Sequence, residues 1–376
     1  MKRRVKFIGY GIIVTIVFAC VEVLAYIATE YLASKGAVYF PQSIEGFDTY
    51  KASRNSNLGW APNTSDLDAS GSRTIPAFPN STSGCVSIYG DSFIWGHLLS
   101  AADSISNRLA ERIGCRVANF GVSGYGSDQS YLRYLHNRDD DAPLVILGHL
   151  SENILRNVNR YRWLLYPGAN FQFKPRFVAS QSGKLKLLSM PMPETVLEMQ
   201  EIIADPARYI SHDAFVPGGS SGKVDHAFSS TLTLLRSLAQ FQVQAQLRRR
   251  PWYTAFYDPT HPSRALATTA SIFGAFTNTA TARQQNPLVA LLPTGLDMTY
   301  FRRTGKWPYA PLVEELKRRG IPFIDVGNEI AARIDGKDVC RYFIDCTHHF
   351  TAVTTKLVAQ IFLERMKTSK IEIKIK

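Results

Sequence analysis

The chain has 376 residues, 45% hydrophobic and 20% charged, which is the balance of a folded globular protein and excludes a disordered one. Its formal net charge is +12, yet the charge distribution argues against a nucleic-acid partner. Basic residues flank one apolar N-terminal stretch, others crowd Lys367–Lys376, and Arg248-Arg249-Arg250 is a local run with no recognisable binding motif around it.

In chain order, Met1-Lys-Arg-Arg-Val-Lys6 precedes an apolar stretch from Phe7 to about Ala28, interrupted by Glu22. About 20 such residues suffice to cross a bilayer. Basic residues before the span and few after it predict a cytoplasmic N-terminus and an exported body. A cleaved signal peptide would end in a small-x-small site, and no clean one closes this run. Val17-Phe18-Ala19-Cys20 faintly resembles a lipoprotein box, but Phe18 is too bulky for it. A signal anchor over residues 1–33 is therefore the expectation, with Glu22 near the far interface or paired within an assembly.

Residues 34–80 are rich in Ser, Asn, Asp, Gly and Pro and read as a stalk and lead-in, with Leu58-Gly59-Trp60 packing onto the body. Short apolar runs then alternate with helical patterns, the signature of a parallel sheet covered on both faces. Strands are expected at Cys85 to Tyr89, Arg116 to Ala118, Leu144 to Leu147, Leu288 to Leu292 and Pro322 to Asp325. Helices are expected at Ala102 to Ile113, Gln129 to His136, Pro311 to Arg319 and Ala352 to Met366. One domain would thus span 81–366, followed by a basic tail. A detour over about 157–286 reads as an insertion, with a hairpin turning at Ser182-Gly183 and a helical stretch from Ser229 to Arg249, and is the expected substrate wall or lid.

Apart from Cys20 there are four cysteines, an even number for an oxidising compartment. A Cys85–Cys115 bridge would join two neighbouring strands, and a Cys340–Cys346 bridge would brace the loop between them; four reduced thiols is the competing reading. The cysteines lack zinc-type spacing with histidines, so neither a metal nor a cofactor is expected.

Gly90-Asp91-Ser92 ends the first apolar run, where a strand should give way to a helix. Asn119-Phe-Gly121-Val-Ser-Gly124-Tyr-Gly126 follows the second, Ser151-Glu152-Asn153 the third, and Asp345-Cys-Thr-His348-His349 precedes the last helix. Each block alone is common turn chemistry. In this order the set resembles the SGNH (GDSL-type) hydrolase superfamily, as a membrane-anchored bacterial-type member, over roughly Ser81 to Arg365. The resemblance implies a flavodoxin-like three-layer α/β/α fold around a central five-stranded parallel sheet, in which ligands gather at the carboxyl ends of the strands.

It also implies roles. Ser92 would be the nucleophile, and the backbone N–H groups of Ser92 and Gly124 with the Asn153 amide would receive the oxyanion. Asp345 would orient a histidine base. The usual Asp-x-x-His spacing selects His348, whereas the register of the helix after Phe350-Thr351 selects His349, with Thr351 as its N-cap. His349 is favoured and His348 is the rival. Asp258-Pro-Thr-His261 has the same spacing but lies before the fourth strand, where a turn that starts a helix is the simpler reading. Block three departs from the family's Gly-Asn-Asp: Glu152 puts a carboxylate beside the oxyanion site unless Arg156 or Arg160 pairs it.

The function expected is a membrane-tethered esterase acting on an acylated small molecule or glycan, plausibly an acetyl ester of an envelope glycan. The alternatives are an O-acyltransferase to a sugar hydroxyl and a catalytically silent glycan-binding or assembly protein.

Overall fold

The apolar runs assemble into a five-stranded parallel sheet in the computed structural model, which describes residues 2–62, 64–166, 168–169, 171–225, 229–334 and 338–368. The strands are β1 (Val86–Gly90), β2 (Val117–Gly121), β3 (Leu144–Leu150), β4 (Asn286–Leu292) and β5 (Phe323–Asp325). Their order is β5-β4-β3-β1-β2, with Ile88 of β1 in register with Asn119 on one side and Ile146 on the other. Strand order reverses between β1 and β3, which opens a crevice at their carboxyl ends.

Every residue of β1, β2 and β3 is buried, as a parallel sheet covered on both faces requires. Alternate residues serve opposite layers. Val86, Ile88, Val117, Leu144, Ile146, Leu288 and Ala290 join Leu109 of α1 (Ile105–Ile113) and Val358 of the last helix in one cluster. From the other parity, Tyr89 stacks on Phe120 and meets Tyr134 of α2 (Ser127–His136), which meets Phe276 of α3 (Ala265–Ala282). The last helix, α4, runs Ala352–Thr368; the basic tail beyond Thr368 lies outside the described residues.

The second and third strands run three residues past their expected ends, the first only one. β2 continues to Gly121 because Phe120 still pairs with Tyr89, and β3 continues to Leu150 alongside β4. Cys85–Cys115 and Cys340–Cys346 are disulfides, with Cα atoms 6.2 and 3.9 Å apart.

The described chain divides into two compact units. One comprises 52–160, 173–192 and 253–376 and contains the sheet; the other comprises 1–51, 161–172 and 193–252. This differs from the expected stalk and single insertion. In the smaller unit Val38-Tyr39 pairs in parallel with Val224-Asp225, and Phe47 and Tyr50 pack on Phe171 at 5.9 Å each. Aromatic burial of this kind offsets the entropy that a polar stalk could not recover. In the sheet unit, the lead-in docks on β2, where Arg73 N–H donates to Asn119 O at 2.8 Å. The hairpin Arg176–Ala179 with Leu185–Leu188 turns at Gly183, whose φ of +80° needs glycine. The stretch expected as one helix from Ser229 is two, Ser230–Ser237 and Phe241–Leu247, separated by an extended Gln240.

The smaller unit carries the N-terminal helix Lys2–Ser34, of which the 28 residues Phe7–Ser34 are long and apolar enough to cross a membrane.

Candidate active site

The turn that carries Ser92 is built by its neighbours. Gly90 ends β1 where a Cβ would lie 2.3 Å from Ile94 Cγ1, so only glycine allows the chain to fold back there. Asp91 caps the single-turn helix Ser92–Trp95, its Oδ1 accepting from Phe93 N–H at 2.9 Å. Ser92 opens that helix, so its own N–H has no intrahelical acceptor. Asn119 ties the far end of the turn, donating from Nδ2 to Ile94 O at 2.8 Å. Gly121 lets β2 approach it, since a Cβ there would stand 2.4 Å from Trp95 N.

His349 Nε2 lies 2.8 Å from Ser92 Oγ. The ring packs 5.0 Å from Phe93 on one side and 5.0 Å from His97 on another. Its backbone is fixed as well, because Ile344 N–H donates to His349 O at 2.8 Å and Phe343 bridges Phe350. Burial, then the positive charges of His97, Arg156 and His348, push the His349 pKa down to about 4, with Glu152 opposing them.

The structure separates the two histidines. His348 is exposed and its Nδ1 meets Thr347 Oγ1 at 2.6 Å, away from the serine. Asp345 is not brought to either ring: it is exposed, and no carboxylate among the described residues hydrogen-bonds His349 Nδ1. The reason is local. Asp345 and Cys346 adopt φ of +52° and +61° inside the tight Cys340–Cys346 loop, a left-handed turn that leaves the Asp345 side chain in solvent. Thr351 precedes α4 as expected, but its hydroxyl donates to Arg341 O at 2.9 Å.

Asn153 opens the four-residue helix Asn153–Arg156 after β3 and is fully buried, yet neither Oδ1 nor Nδ2 has a hydrogen-bond partner. Its amide is close enough to help hold the Asp91 pKa down without reaching bonding geometry. A buried amide without partners is costly. Gly124 sits in the turn after β2 with φ of +83°. Trp60 clamps this turn, its Nε1 donating to Ser123 O at 3.0 Å while Tyr125 Oη donates to Trp60 O at 2.6 Å.

Arg156 joins the blocks. It contacts Asp91 Oδ2 at 3.4 Å, donates to Tyr125 O at 3.1 Å and pairs Glu152 Oε1 at 3.1 Å. Burial raises the Asp91 pKa and the Arg156 charge counters it. Arg160 instead bonds the Ser189 carbonyl. His261 stays with its own turn, 2.8 Å from Ser263 Oγ and with its ring tilted against that of Phe256 at 4.4 Å.

Sequence reasoning missed His97; it expected Trp60 to pack onto the body, but not that it would hold the Gly124 turn. His97 follows the Ser92 helix by two positions, and its backbone bond to Ser92 O at 2.9 Å and its ring 5.0 Å from that of His349 place it in the site. Among the described residues no group of His, Cys, Asp and Glu could hold a metal ion.

No protein-family model and no curated protein matches the chain. A solved structure assigned to a lipolytic protein of the G-D-S-L family from Desulfitobacterium hafniense DCB-2 is 12% identical, with a TM-score of 0.35, covering 76% of this chain and 98% of that one. A second solved structure is also 12% identical, with a TM-score of 0.37 over 76% of this chain and 97% of its own. Likenesses of this size say nothing about chemistry, which rests on the geometry of the site.

Proposed function

We propose that the chain is a membrane-tethered serine ester hydrolase of the SGNH type, removing an acyl group such as acetyl from an exported or envelope glycan. The observation that carries this reading is the 2.8 Å contact between Ser92 Oγ and His349 Nε2, at the carboxyl edge of the sheet where strand order reverses. In it, His349 takes the Ser92 proton as Oγ bonds the ester carbonyl carbon. The tetrahedral oxyanion accepts from Ser92 N–H and Asn153 Nδ2, to which the family resemblance adds Gly124 N–H. The alcohol leaves with the proton held on His349, and water then attacks the acyl-enzyme with His349 again as base.

Asp345 has no orienting role in this reading. The ring is held by Phe93, His97 and the Ile344 backbone bond, so the site is a Ser-His dyad. Glu152 is neutralised by Arg156, which removes its opposition to the oxyanion. The N-terminal helix tethers the catalytic unit, with the basic Lys2–Lys6 segment on the cytoplasmic side.

The test is acetate release from p-nitrophenyl acetate by the full chain in detergent, with and without sugar acceptors, beside fluorophosphonate labelling. Turnover and labelling lost together in Ser92→Ala support the reading. Acetyl appearing on the sugar makes the protein an O-acyltransferase with the same dyad. A folded protein that neither turns over nor labels removes the enzyme reading in favour of a silent glycan-binding protein.

A further inference from the structure

The helix Ser230–Ser237 in the smaller unit is amphipathic the wrong way round for water. Its buried residues are Thr233 and Ser237, while Leu232, Leu235, Arg236 and, just past its end, Leu238 are exposed, Leu235 by 60%. A helix on the surface of a soluble domain buries its leucines and exposes its hydroxyls. In lipid the preference inverts, because small and polar residues pack between helices and apolar ones meet acyl chains.

The partner of this helix is the N-terminal apolar helix. Along the latter, Ala25 and Thr29 are buried, whereas Val23, Leu24, Tyr26, Ile27 and Tyr31 are exposed. Glu22 on the same stripe is satisfied by the start of the second helix, accepting from Ser229 Oγ at 2.9 Å and from Ser230 N–H at 2.8 Å. Both helices thus turn polar or small side chains inward and expose mostly apolar residues outward, with Glu30 and Arg236 the charged exceptions toward the end of each helix.

Position along the span supports the same conclusion. The 28-residue segment Phe7–Ser34 covers about 42 Å at about 1.5 Å per residue, against a hydrocarbon core of about 30 Å. With Phe7 at the inner boundary the core ends near Tyr26, so Glu22 lies about 6 Å inside it by the same rise. The Ser230 end of the second helix therefore starts within the hydrocarbon. Beyond Leu247, which is 71% exposed, Arg248 is also exposed and adds a positive charge of the kind lipid phosphates attract.

We propose that Ser230–Ser237 is a membrane-embedded element, its Leu232, Leu235 and Leu238 face immersed in the outer leaflet beside the N-terminal span, holding the smaller unit against the bilayer. This rests on the tether stated under the proposed function.

The test is spin labelling of the full chain in a Cys20→Ser background, in vesicles of phosphatidylethanolamine and phosphatidylglycerol. Labels are placed singly through Leu232→Cys, Leu235→Cys, Val14→Cys in the span and Leu187→Cys on the hairpin of the other unit. Labels at Leu232 and Leu235 are expected to show an oxygen-to-nickel-chelate accessibility ratio like that of Val14 and several-fold above that of Leu187. If both match Leu187 while Val14 remains lipid-like, the embedded helix is overturned and the tether stands. A water-exposed Val14 label overturns the tether, and the proposal with it. Low accessibility to both reagents with short distances between labels means that a second copy covers the face, which also overturns it.

Discussion

His349 Nε2 stands 2.8 Å from Ser92 Oγ although 257 positions separate them, while His348, next in sequence to His349, turns to Thr347. Ser92→Ala or His349→Ala should lower kcat for p-nitrophenyl acetate by about 10⁶-fold, as loss of either member of a serine–histidine unit does. His348→Ala should leave kcat within about twofold, because its ring touches no reacting atom. Equal loss in both histidine variants, with folding intact by circular dichroism, would show that the assignment is wrong.

Asp345 makes no bond to the base. Replacing the acid of a working triad with its amide costs about 10⁴-fold in kcat. Asp345→Asn should instead keep kcat within about threefold; a loss near the triad value would restore Asp345 as the orienting acid.

Asn153 holds two buried polar atoms without partners. Asn153→Ala should lower kcat by about 100- to 1,000-fold with KM little changed, since the amide serves the oxyanion of the transition state. It should not destabilise the fold, because no hydrogen bond is broken. A large drop in Tm, or a rise in KM alone, would mark Asn153 as structural or as a ground-state contact.

The base must be neutral to accept a proton, and His349 is held at about 4. Activity should therefore rise with pH through about 4 and stay level toward neutrality, where an ordinary histidine would still be gaining at about 6.5. The ring is faced by His97, Arg156, His348 and Glu152, and all but Glu152 lower its pKa. His97→Ala removes one positive neighbour and admits water, so the acid limb of kcat/KM should move to higher pH. A limb that does not move removes His97 from the site.

His149 is fully buried between Ser127 Oγ at 2.7 Å and Tyr257 Oη at 3.1 Å, and burial lowers its pKa to about 3. Between 6.5 and about 3 the unfolded chain binds more protons than the folded one, so stability is complete above 6.5 and is lost as pH falls through that window. Asp297, raised to about 6 by burial, works the other way, adding stability as pH falls from about 6 toward 3.8. His149→Gln should flatten the fall in Tm below pH 6.5 relative to the unaltered chain. An unchanged Tm profile would show that His149 is not buried neutral.

The five strands were legible because each is an apolar run bounded by turn residues, and a parallel sheet buries both faces of every strand. The order of the blocks was legible for the same reason: Ser92, Gly124 and Asn153 each follow a strand. The nearness of His349 to Ser92 was foreshadowed by the register of α4, which starts at Ala352. The placing of the Asp345 carboxylate away from both rings was not legible, because spacing carries no information about a left-handed turn there. Trp60 and His97 carry no motif and reach the site only through packing. The join between residues 1–51 and 193–252 escaped because a hydroxyl-lined helix resembles a surface segment until its partner is known.

By itself, then, the amino-acid sequence determined the strand pattern, the apolar N-terminal span and the candidate nucleophile, all of which follow from local periodicity and turn chemistry. Tertiary structure decided which histidine meets Ser92, that Arg156 ties Asp91, Tyr125 and Glu152 together, and that Glu22 is satisfied by Ser229 and Ser230. These depend on distances between residues far apart in the chain, which are set by how the sheet, helices and loops pack rather than by any local pattern.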